Sequence, residues 1–133
     1  MPTERMTAQQ YRSLTKAPGG GKYNTAAKPE RTWSGVWQGH MQTIVFDSKF
    51  EMHRFCELRV MEQNGLILNL IIQPKFSLTP SEIYKGDFKY LEPDGKKLKW
   101  VCEDVKGHET QLFRSKWKRV VAMYPIEFRL VTK

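Results

Sequence analysis

The sequence is short of the residues that several common chemistries need. It has two cysteines, Cys56 and Cys102, with no metal-ligand spacing between them. That argues against a disulfide-stapled or zinc-ribbon scaffold and fits free thiols in a reducing compartment. The three histidines, His40, His53 and His108, show no ligand spacing either, so a zinc or His-Asn-His site has no support. No glycine-rich loop runs into Lys-Ser or Lys-Thr, which argues against ATP hydrolysis. No Ser/His/Asp arrangement can be assembled. No stretch is long and apolar enough to span a bilayer and no signal-peptide pattern opens the chain, so no membrane partner and a cytoplasmic location are expected.

Positive charge is what the chain has in excess. Its 133 residues carry 22 Lys+Arg against 14 Asp+Glu, a formal net charge of +8, which suits a polyanionic partner. The length is that of one domain with a single modest core. Residues 1–40 differ from the rest. Arg5, Arg12, Lys16, Lys22, Lys28 and Arg31 outnumber Glu4 and Glu30 around the breaker Ala17-Pro18-Gly19-Gly20-Gly21-Lys22. With no sustained apolar period, 1–40 reads as a basic, largely flexible arm and 41–133 as the folded domain. Trp33 and Trp37 are expected to pack on the domain, with stacking on bases as the alternative.

Ordered structure is expected from near Ile44. Ser48-Lys49-Phe50-Glu51 has the form of a capping box and opens a helix over 49–63, which Gly65 stops. The apolar run 66–76 and the alternating run 83–91 read as strands, and Glu92-Pro93-Asp94-Gly95 as a turn. A third strand is expected over 98–106. A second helix follows over 110–123, with Phe113, Trp117, Val120, Val121 and Tyr124 as its apolar stripe. A strand over 126–131 closes the chain. The fold class is therefore α/β, an α+β mixed sheet flanked by helices.

Acids are depleted in strands, so Asp87 and Asp104 on neighbouring strands call for a reason. Side chains alternate along a strand, which puts Asp104 and Lys106 on one face and Glu103 on the other. Two carboxylates can hold a magnesium ion, and a lysine beside them can steady an attacking water or a phosphate charge. The alternative is two surface acids near strand ends, each satisfied by a lysine. Glu103 is then a flanking residue. Glu51, at roughly 100° per residue, falls between Phe55 and Leu58 inside the apolar stripe of the first helix. Its readings are helix capping alone or participation in the metal site, and the two roles are compatible. Gln73 and Gln111 are candidates to face the same cleft, Gln111 the better one, with ordinary polar surface residues as the alternative reading of both. Gln111, Arg114 and Lys118 form an i, i+3, i+7 row suited to a phosphate backbone, or to a plain solvated face.

From about residue 44 to 131 the chain resembles an uncharacterised phage and prophage family of the PD-(D/E)XK nuclease superfamily. Four motifs carry the resemblance: Phe46-Asp47-Ser48-Lys49-Phe50-Glu51, Gln73-Pro74-Lys75-Phe76, Asp87-Phe88 and Glu103-Asp104-Val105-Lys106-Gly107. One departure is Gly86, where the superfamily often has proline before its first strand acid. The resemblance implies a restriction-endonuclease-like core in the order αβββαβ. It implies catalysis by Glu51, Asp87, Asp104 and Lys106, with metal on Asp87, Asp104 and Glu51, and Gln73 and Glu103 in support. The expected activity is Mg2+-dependent DNA hydrolysis, with Mn2+ as a substitute. The expected substrate is branched or duplex DNA, such as a Holliday junction, cut by a homodimer. A sequence-specific restriction-like or transposon-end nuclease, a non-catalytic nucleic-acid-binding module and a structural phage component are the alternatives.

Overall fold

The computed structural model describes residues 27–106 and 109–132. The chain divides into two compact units, Met1–Arg54 and Phe55–Lys133. The expected arm over residues 1–26 lies outside the described residues, as do Gly107 and His108.

In the first unit a 3-10 turn, Lys28–Arg31, leads into β1 (Thr32–Trp37), which pairs antiparallel with β2 (His40–Val45). The turn between them places Gln38 and Gly39 at φ +55° and +79°. Positive φ at both central residues matches the right-handed twist of a two-residue hairpin. The Ser34 and Thr43 hydroxyls meet across the ladder at 3.0 Å. Arg31 is buried and donates to the Phe46 carbonyl at 2.6 Å. Order thus begins before Ile44. A strand of only six residues with glycine at its centre carries too little alternation to read in advance. Trp37 is buried in the fold, as packing predicts.

α1 (Lys49–Gln63) starts where Ser48 Oγ accepts the Glu51 amide at 3.0 Å. It ends in a Schellman motif. Leu66 N–H reaches back to Met61 O at 2.9 Å and Gly65 N–H to Glu62 O at 3.1 Å, with Gly65 at φ +74°.

The second unit is built on a four-stranded mixed sheet in the order β3-β6-β7-β8. β3 (Leu68–Ile72), β6 (Phe88–Asp94) and β7 (Lys97–Lys106) are antiparallel neighbours, and β8 (Glu127–Thr132) runs parallel to β7. A separate antiparallel hairpin, β4 (Lys75–Thr79) with β5 (Glu82–Lys85), is inserted between β3 and β6. The two strands expected over 66–76 and 83–91 are therefore each split. The first breaks at Gln73-Pro74, where Gln73 takes φ +52°, and the second at Gly86-Asp87. The expected turn at 92–95 sits later, at Gly95 and Lys96. Pro93 stays in β6, because β3 pairs no further along it than Leu91 and the missing N–H leaves no ladder bond unmade on that side.

α2 (Gln111–Met123) is capped by Thr110, whose hydroxyl accepts the Phe113 amide at 3.0 Å. Its Phe113, Trp117, Val120 and Tyr124 pack with Phe76, Leu78 and Tyr84 of the hairpin and Cys102 and Phe128 of the sheet. Edge contacts such as Phe76–Tyr124 at 5.1 Å fix the rings. Val121, expected on this stripe, is exposed. On the other side of the chain's alternation, Phe88 of β6 stacks on Phe55 of α1 with centroids 6.4 Å apart.

Candidate active site

Asp87 sits in the gap between β5 and β6, and the sheet grips it on both sides. Its amide donates to Glu103 O at 3.1 Å, and its carbonyl accepts from Gln73 N–H at 2.8 Å. Its carboxylate Oδ2 accepts the Val105 amide at 2.7 Å, which lays the side chain against the middle of the Asp104-Val105-Lys106 triplet. Gly86 is required here. A Cβ at that position would lie 2.6 Å from Cys102 Sγ. Burial pushes the Cys102 thiol up to about 12, so it stays protonated and acts as packing. The departure from proline at residue 86 is thus matched to the bulk of Cys102.

Alternation along β7 holds. Asp104 is 1% exposed and its Oδ1 lies 3.1 Å from Lys106 Nζ. Beyond that ammonium, neither Asp104 oxygen has a hydrogen-bond donor among the described residues. Burial raises the Asp104 carboxyl to about 6, and Lys106 only partly offsets this. The Lys106 ammonium is also 4.5 Å from the centroid of Phe113, which sets it on the α2 side of the sheet. Glu103, equally buried, accepts the Tyr90 hydroxyl. Tyr90 is followed outward by Arg129, which grips Glu92 with both terminal nitrogens.

Glu51 is buried in the first turn of α1, with its backbone amide taken by Ser48. Among the described residues, Asp47 and Glu51 each offer a carboxylate oxygen, within 4.8 Å of one another. Asp47 was not read as a site residue. Its signal was present, since it opens the motif that ends in Glu51 one helical turn later. Asp104 is not a member of that group. Gln73 is brought to Asp87 through its backbone and is buried. Gln111, Arg114 and Lys118 line a shallow basin of about 500 Å3 on α2, with Ser115 and Arg119. Arg114 and Lys118 are exposed, whereas Arg119 is held by both oxygens of Glu82 at 3.0 and 3.1 Å. No helix among the described residues is long and apolar enough to cross a membrane.

The second unit therefore defines a mixed α+β protein with Asp104 and Lys106 on β7 and Asp87 just before the adjacent strand β6. The family model described as "Protein of unknown function (DUF1064)" matches residues 38–132, and the chain belongs to that family. No curated protein matches it.

Proposed function

We propose that this chain is a Mg2+-dependent DNA endonuclease with a PD-(D/E)XK core. The observation that carries the reading is the buried Asp104, paired with Lys106 and lying one strand from Asp87. A carboxylate with both oxygens out of water and no donor but one ammonium is costly in an isolated protein. A hard divalent cation on all-oxygen donors suits such a site. The neighbouring carboxylates of Asp47 and Glu51 suit the same kind of ion. Element order adds support: α1 precedes β3, β6 and β7, and α2 stands between β7 and the parallel strand β8.

Asp87, Asp104 and Glu51 would hold the ion, with Asp47 as a further donor. Bound there, it supplies Lewis-acid polarisation of the phosphate and a water of lowered pKa. The reaction forms a P–O bond to the oxygen of water and breaks the P–O bond to a sugar oxygen, which leaves with a proton. Lys106 keeps a fixed positive charge beside Asp104, and its contact with Phe113 restricts where that charge can go. Branched DNA as the substrate, and a homodimer as the acting form, follow from the resemblance.

Incubation with linear, nicked, flapped and four-way DNA tests this reading. Mg2+ or Mn2+ is expected to support cleavage, EDTA to stop it, and Ca2+ to permit binding with little turnover. Folded protein that cuts none of these substrates with Mg2+ or Mn2+ would end it, and robust cutting in EDTA would end the metal mechanism.

A further inference from the structure

The β4–β5 hairpin has one face that the proposed chemistry does not use. Its inner residues, Phe76, Leu78 and Tyr84, pack with α2. Its other face opens with Lys75 directly opposite Lys85. Directly opposed residues of an antiparallel pair stand side by side, with Cβ atoms about 4.5–5.5 Å apart, and like charges there repel. Lys75 is exposed, Lys85 is half-buried, and neither forms an ion pair among the described residues. Some other cations of this unit are matched. Arg119 grips Glu82, Lys99 lies 2.9 Å from Glu127, and Arg129 grips Glu92. Lys75 and Lys85 have no such acid among the described residues and stand directly opposite each other.

Its location gives it a use. Pro74 O accepts Gly86 N–H at 2.9 Å and Asp87 O accepts Gln73 N–H at 2.8 Å, so the two strands stay paired from the lysines up to Asp87. Asp87 follows Lys85 by two residues. Gln73 is held at φ +52°, a conformation costly for a residue with a Cβ and typical of functional sites. The strained bend thus fixes the lysine pair close to the acids along a continuous backbone ladder.

We propose that Lys75 and Lys85 clamp backbone phosphates of a nucleic-acid strand next to Asp87, as a contact additional to the α2 row. The inference rests on the nuclease reading of Asp87, Asp104 and Lys106. Two ammonium groups bind phosphate as point charges without reading bases, so the clamp acts on any sequence. Phosphate also removes the repulsion between them.

The test uses the full chain and a duplex oligonucleotide, with binding measured in Ca2+ across a salt series. K75Q/K85Q is compared with K96Q/K97Q, which loses the same charge at the β6–β7 turn, the far end of those strands from Asp87. K75Q/K85Q is expected to weaken binding and flatten the log–log salt slope by about 1.8, at about 0.9 per lost phosphate contact. K96Q/K97Q is expected to keep nearly the wild-type slope. The urea midpoint of K75Q/K85Q is expected to hold or rise, because a repulsion has gone. An equal change in both variants, no change in either, or a lowered midpoint confined to K75Q/K85Q overturns the clamp. A wild-type chain that shows the Lys75/Lys85-dependent slope yet never cuts with Mg2+ or Mn2+ retires the nuclease reading and leaves the clamp standing.

Discussion

Glu103 and Asp104 are consecutive, both 1% exposed, and both acidic, yet the two faces of β7 treat them differently. On the Glu103 face the carboxylate has the Tyr90 hydroxyl, with Arg129 beyond it. On the Asp104 face the carboxylate has one ammonium and no other donor among the described residues, and burial raises its pKa to about 6. Satisfied buried polar groups specify a fold, whereas an under-satisfied one is destabilising unless something else binds there. The contrast separates a residue that holds the sheet together from one that is available for chemistry. It can be broken by exchanging the two roles.

The largest effect is expected there. Asp104→Asn should bring Mg2+-dependent cleavage down to background while DNA binding is kept, since a donor and a repulsive charge go together. Glu103→Gln should keep most activity and lose stability, on the order of 1–3 kcal/mol, as a hydrogen bond to a charged group weakens. Single-turnover cleavage and urea unfolding read the two quantities separately. If Glu103→Gln were the inactive variant and Asp104→Asn the active one, the assignment of faces would be reversed.

Glu51 sharpens the same contrast at another carboxylate. The structure assigns the capping bond to the Ser48 hydroxyl and the Glu51 backbone amide, neither of which Glu51→Gln changes. Near-normal folding is therefore expected, with cleavage reduced by about 10²-fold or more if the side chain serves the metal site. Full activity in the variant would remove Glu51 from the site. Asp47→Asn is expected to behave in the same direction, because its oxygen joins that of Glu51.

These residues were unequally visible in the sequence. The β7 triplet was legible because period-two alternation is rigid, and the Asp104–Lys106 contact follows from it. The first helix was legible from its cap, Ser48, and from Gly65, and the second from its apolar stripe, whereas its Thr110 cap is seen only in the structure. The hairpin β4–β5 was not. Phe76, Leu78 and Tyr84 look the same in sequence whether they continue β3 and β6 or fold over α2, and the break at Gln73 needs a positive φ at a residue that rarely takes one. Asp47 was missed for a different reason. It lies before the helix, so the apolar-stripe argument that singles out Glu51 does not reach it, although it stands one turn earlier in the same motif.

Next in size is a pH effect confined to the Asp104 face. The folded carboxyl titrates near 6, above its ordinary 3.8, so the folded chain holds that proton more tightly than the unfolded chain. The stability this confers is complete below about pH 4 and is lost as pH rises through about 6. Its size is about 3 kcal/mol at the full shift. Urea unfolding of the metal-free chain should show this fall, and Asp104→Asn should flatten it. Mg2+ should restore stability at pH 7.5 more than at pH 5, because only the ionised site binds it well. A wild-type profile identical to that of the variant would show that Asp104 is no more perturbed than a surface acid.

The smallest effect belongs to the exposed row on α2. Arg114 and Lys118 line a basin with Gln111 and pair with no acid among the described residues, while Arg119, one residue on, is already committed to Glu82. Their charges are therefore free to meet phosphate without first breaking a protein contact. Arg114→Ala and Lys118→Ala should each weaken binding to linear and four-way DNA alike, and flatten the salt slope by about 0.9. Arg119→Ala should instead cost stability through the lost Glu82 contact, with less effect on the slope. Because phosphate contacts position the substrate but do not perform chemistry, single-turnover cleavage at saturating enzyme should stay near wild type in both row variants. A cleavage defect that persists at saturation would place the row within the reacting site and move the boundary between binding and chemistry from β7 onto α2.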